Sequence, residues 1–180
     1  MKTTGNFLLA IIVVTLITAC GGEKYAPPTG WQRHENYTLK FSVYYPPGWK
    51  FSNQGSPNLI FNISSPKTND QDYIQENVNL VVQDVAEGMD VTTYLEELEK
   101  KASNQLEAIE KQSNESVDFK GYSAITSTYL AKVNDIRVRW LQYTWIKDDK
   151  AYLLTYSAEI AQYDAYKDFA LEIIKSFQFN

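Results

Sequence analysis

Only one cysteine, one histidine and three arginines (Arg33, Arg137, Arg139) occur in the 180 residues of this chain. Each scarcity excludes something. A single thiol cannot close an intramolecular disulfide or build a Cys-ligated zinc site. A formal net charge of −5 with so few arginines leaves no basic stripe to neutralise phosphates, which argues against nucleic-acid binding. The lone histidine, His34, stands between Arg33 and Glu35 with no nucleophile-elbow motif anywhere in the chain. It reads as a solvated loop residue rather than a general base, because a base needs a nucleophile and an orienting carboxylate. Internal repeats and low-complexity blocks are also missing.

The one long apolar run, Phe7 to Ile17, follows a short start carrying Lys2. It is too short to span a bilayer and has the length of a signal-peptide core. Ile17-Thr18-Ala19-Cys20, followed by Gly21-Gly22, resembles the bacterial lipobox. That resemblance implies cleavage before Cys20 and acylation of its thiol with diacylglyceryl and a further fatty acid such as palmitate, two or more chains being needed for stable anchorage. The expected divisions are a signal peptide over 1–19, a flexible tether over 20–30 and one domain over 31–180. Losing residues 1–19 takes the formal charge from −5 to −6 and leaves 161 residues, enough for one full core. The expected location is the extracytoplasmic face of a bacterial cell membrane or outer membrane, with the membrane reached through Cys20.

Beyond the tether, Thr38 to Tyr45 alternates apolar and polar residues and stops at Pro46-Pro47-Gly48, the pattern of a half-buried strand. Leu59–Ile63, Val78–Val85, Glu115–Phe119, Tyr122–Leu130, Arg137–Trp145 and Ala151–Ala158 read as further strands. Asn134-Asp135 and Asp148-Asp149 mark tight turns, which makes the last strands an antiparallel meander. Arg137–Trp145 is apolar on both faces, which suggests a central strand covered on both faces. Val91, Leu95, Leu98, Ala102, Leu106 and Ile109 recur at helical spacing and predict a helix from Val91 to Lys111. Its start is either a Thr93/Glu96 capping box or an Asp90 cap. A second helix is predicted over Tyr163–Lys175. The expected fold class is α+β, an antiparallel sheet flanked by helices.

The order Tyr44-Tyr45-Pro46-Pro47-Gly48-Trp49, then Glu76 to Val82, then an amphipathic helix, then a strand, a helix and Ile174-Lys175-Ser176-Phe177, resembles the PsbP/Mog1-like superfamily, including its DcrB-like bacterial members. The likeness covers Tyr37 to Phe179. It implies an α/β/α sandwich on an antiparallel sheet. It brings no catalytic residue, since the superfamily's members have diverse roles and fold does not carry function.

The loop Asn69-Asp70-Gln71-Asp72 with Glu76 is rich in oxygen ligands but lacks the central glycine and closing glutamate of a calcium loop, and reads as a solvated loop. No catalytic, cofactor or metal site is predicted. Aromatic residues are the positive anomaly: Tyr44, Tyr45, Trp49, Trp140, Tyr143, Trp145, Tyr152 and Tyr156 fall on strands and the first turn. Most belong in a sheet core. Tyr44, Tyr45 and Trp49 are the candidate partner surface, with Trp49 either offered on its stiff turn or folded back to plug the end of the sheet. The functional expectation is a non-catalytic lipoprotein docking on a protein partner. The alternative is a module holding a small ligand or glycan between sheet and helix.

Overall fold

A computed structural model describes residues 25–70, 72–103, 109–133 and 135–180. Cys20, Leu106 and Asn134 lie outside the described residues. The elements in chain order are β1 (Gln32–Asn36), β2 (Phe41–Tyr45), β3 (Lys50–Ser52), β4 (Leu59–Ser64), β5 (Asn77–Asp84), α1 (Val91–Ser103), β6 (Glu110–Phe119), β7 (Tyr122–Val133), β8 (Ile136–Lys147), β9 (Lys150–Glu159), α2 (Tyr163–Ser176) and β10 (Gln178–Phe179).

An antiparallel seven-stranded sheet runs β3-β4-β5-β9-β8-β7-β6, and a second sheet runs β1-β2-β10. The predicted meander is β6 to β9, joined by two-residue turns. Lys120-Gly121 and Asp148-Asp149 both take left-handed backbone, the twist that matches flanking strands. β8 is an interior strand, as expected, paired with β7 and β9, and β9 stands at the middle of the seven. Ala151 to Leu154 are buried consecutively because helices or strands cover both faces there. The apolar residues of β8 are explained by the same two-sided cover, one position further out.

One face of the large sheet packs on the small sheet and α2 through Phe41, Phe61, Leu80, Trp145, Leu154, Tyr156, Ile173 and Phe177, all essentially without solvent contact. The opposite face is covered by α1, with Tyr94 against Ala151 and Leu153. Asp90 caps α1. One carboxylate oxygen accepts the Thr92 and Thr93 N–H groups at 2.9 and 3.0 Å, and the other accepts the Thr93 hydroxyl at 2.6 Å. These bonds hold its carboxyl below the ordinary value, the Thr93 hydroxyl foremost.

The helix was expected to reach Lys111, yet Glu110 and Lys111 belong to β6 and pair with Leu130 and Tyr129 of β7, while α1 is described over Val91–Ser103. Ladder bonds to β7 outweigh a helical spacing that only Leu106 and Ile109 prolong. Three short strands carried no period-2 signal. Gln32–Asn36 is polar throughout, and β3 and β10 have three and two residues. They form because β2 and β4 present unpaired edges that must be satisfied.

Candidate functional site

The candidate partner residues do not share an exposed surface. The Trp49 N–H closes a turn on the Pro46 carbonyl at 3.3 Å, and Gly48 supplies the left-handed φ of +86° that the turn needs. The indole then folds back over α2, its centroid 6.2 Å from Tyr166 and 6.5 Å from Phe169, and only 8% of Trp49 stays exposed. Of the two arrangements open to Trp49, the plug is the one present. Tyr45 is half-buried against Phe51, and its hydroxyl donates to Gln32 at 3.2 Å. Tyr44, on the opposite side of β2, lies 6.1 Å from the ring of Tyr25. Its N–H donates to the Ser176 hydroxyl at 2.8 Å, which continues the ladder where α2 has not yet become β10.

The remaining aromatics divide as chain pattern suggested. Trp145, Tyr152 and Tyr156 are buried in the core, while Trp140 and Tyr143 are half-buried. Among the described residues the exposed large apolar side chains are Tyr37, Tyr73 and Phe169. The loop before β5 is not simply solvated. Glu76 is 2% exposed and accepts the Ser65 hydroxyl at 2.9 Å, and Asp72 staples the loop by accepting the Thr68 N–H at 2.9 Å.

His34 sits on β1 opposite Val43 rather than in a loop, its ring stacked 3.9 Å from Phe51. Burial lowers its pKa, because the charged imidazolium loses solvation. The folded chain therefore binds this proton less readily than the unfolded chain. The associated stability is present above the unfolded value near 6.5 and is lost as pH falls through the lowered folded value. Thermal melts in steps below pH 7 should show a falling Tm, and His34→Gln should flatten that slope. An unchanged slope would place the titrating group elsewhere.

A concave site that the sequence did not mark lies between the C-terminal half of α1 and the sheet. Leu98 and Ala102 from the helix, Trp140 and Leu153 from the sheet, and Ile109 wall an apolar cleft of about 190 Å³. Its polar rim is already engaged. Glu99 accepts the Tyr129 hydroxyl at 2.9 Å and the Lys111 ammonium at 2.8 Å. Burial pushes Tyr129 up to about 12, so it remains a donor. Gln142 donates to Thr144 at 3.0 Å and accepts from Thr155 at 3.3 Å. The available signal was that α1 leaves Leu98 and Ala102 only half-buried, but their exposure depends on where the helix crosses the sheet.

No protein-family profile matches the sequence, and no curated protein does so either. Solved structures do. Cyanobacterial PsbP (CyanoP) of Synechocystis sp. PCC 6803 superposes with a TM-score of 0.62 at 19% identity, covering 91% of this chain and 99% of that one. The chain has the PsbP/Mog1-like fold. LpqN of Mycobacterium tuberculosis, described as involved in cell envelope biogenesis, matches at a TM-score of 0.61 and 13% identity over 85% of this chain and 87% of its own. The Ran-binding protein Mog1p of Saccharomyces cerevisiae matches at 0.54 and 11% over 83% and 95%. The PsbP/Mog1-like architecture accounts for both helices flanking one antiparallel sheet. At these identities the likeness concerns the fold alone.

Proposed function

We propose that this chain is a lipid-anchored protein of the bacterial envelope whose PsbP/Mog1-like domain acts without catalysis, by docking on a protein partner. The observation that supports this most is the α1–sheet cleft. At about 190 Å³ it lies below the roughly 300 Å³ at which pockets for drug-sized ligands begin. It is sized for one large apolar side chain, the kind of anchor that dominates a protein interface. A small polar ligand would want free convergent groups, and here Glu99 and Gln142 are satisfied within the domain. The fold also serves an envelope-biogenesis protein and a Ran-binding protein, both compatible with a docking role. Attachment through Cys20 is supported by the lipobox-like Ile17-Thr18-Ala19-Cys20 of the sequence, and among the described residues no helix is long and apolar enough to cross a membrane.

Filling the cleft tests this. Anchored bait carrying Ala102→Trp should capture the wild-type protein's partner at least about tenfold less well, a loss near 1.4 kcal/mol, while the circular dichroism spectrum is unchanged. Equal capture by the filled variant would remove the cleft from the interface.

A further inference from the structure

The segment between Cys20 and the domain is shorter in effect than its sequence suggests. Tyr25 is held on α2, where its hydroxyl donates to the Glu172 carboxylate at 3.2 Å and its ring leans on Tyr44 at 6.1 Å. Glu172 stays ionised for this contact, its carboxyl held down chiefly by the Lys175 ammonium at 2.7 Å. Tyr25 then stands five residues along the chain from Cys20. Fully extended, five residues reach no further than about 18 Å, and as a coil roughly 12 Å.

Helical spacing places Phe169 one turn before Glu172 on the same face of α2. Phe169 is 49% exposed and rests on Trp49, so an apolar ring stands in solvent beside the point where the anchor leaves the domain. The other helix, α1, lies across the sheet from α2. Two layer spacings of about 10 Å separate the two helices. An anchor tied to the α2 side therefore cannot bring the α1 side onto the bilayer without releasing Tyr25.

We propose that the α2 face around Phe169 and Tyr25 lies on the bilayer that holds the anchor, and that the α1 cleft is turned away from it. This rests on Cys20 being acylated, as in the function proposed above. The partner surface is the headgroup–acyl boundary of the membrane, where aromatic rings settle favourably. Attraction to anionic lipid plays no part in an acidic chain whose α2 carries Asp164, Asp168 and Glu172 against Lys167 and Lys175. The orientation leaves the cleft open to a partner approaching from the far side.

Site-specific photocrosslinking tests it in the full-length protein in its own membranes. The photoreactive phenylalanine analogue p-benzoylphenylalanine is placed at Phe169, or at the exposed Glu97 of α1. Mass spectrometry then reads phospholipid adducts after irradiation, together with the acylation of Cys20. The expected result is an acylated Cys20 with lipid adducts at position 169 many-fold above those at 97. Tyr25→Ala should lower the 169 adducts several-fold, since the tether then lengthens and the domain turns freely. Acylated protein with equal adducts at both positions, or more at 97, overturns the orientation and leaves the anchor standing. An unacylated Cys20 overturns both.

Discussion

Trp145→Ala is expected to destabilise the domain by about 3–5 kcal/mol, and with it to lower Tm by roughly 6–20 °C. Trp145 has no solvent contact and is the meeting point of three elements. Its ring stacks on Tyr152 of β9 at 5.3 Å with an interplanar angle of 9°, meets Phe119 of β6 at 5.0 Å, and lies edge-on to Phe177 at 5.6 Å where α2 ends. Truncation would open a cavity bounded by the large sheet and by the residue that steers α2 into β10, so the surroundings cannot collapse without moving the backbone. The indole N–H has no partner in this buried position. Its unpaired desolvation offsets part of the packing gain, so Trp145→Phe should stay within about 1.5 kcal/mol of wild type. Chemical denaturation of both variants separates the effects. If phenylalanine costs as much as alanine, packing is not the source of the stability.

Trp49→Ala should cost a similar amount, about 3–5 kcal/mol. The reason is geometric: the turn at Pro46–Gly48 directs the indole back between β2 and α2, where Tyr166 and Phe169 close over it. Partner capture by the surviving folded fraction should be unchanged, because the side chain contributes to the core and not to an outward surface. A variant that keeps its Tm within a degree or two but loses partner would instead restore Trp49 to an interface. Trp49→Phe keeps a ring in place and should lose far less than alanine, which guards against reading unfolding as lost binding. Trp49 also supports Phe169, so the alanine variant should reduce lipid adducts at position 169, linking the plug to the orientation proposed for α2.

How much of the candidate site was legible beforehand follows from these residues. Trp49, Tyr44 and Tyr45 were visible as aromatic residues beside a rigid turn. Which of its two arrangements Trp49 takes was not, since that depends on Tyr166 and Phe169 of α2, more than a hundred positions later in the chain. Leu98, Ala102 and Trp140 were each visible as members of an apolar pattern. Their convergence into a cleft depends on the crossing of α1 over the sheet, a relation that no local window contains. Glu76 looked like any loop carboxylate until the fold carried it beneath Ser65.

By itself the sequence determined what local chemistry controls. Alternation named the long strands, proline, glycine and aspartate placed the turns, Asp90 and the apolar stripe opened the first helix, and the scarcity of cysteine, histidine and arginine removed whole classes of chemistry. Order and spacing of motifs pointed to the PsbP/Mog1-like fold. Tertiary structure alone decided where edges needed partners, and so created β1, β3 and β10 from residues with no strand signal of their own. It took Glu110 and Lys111 out of the predicted helix because ladder bonds to β7 were available to them, set β9 at the middle of the sheet, and tied Tyr25 to α2. All of these arise from contacts distant in sequence, whose free energy exists only once the chain has closed on itself.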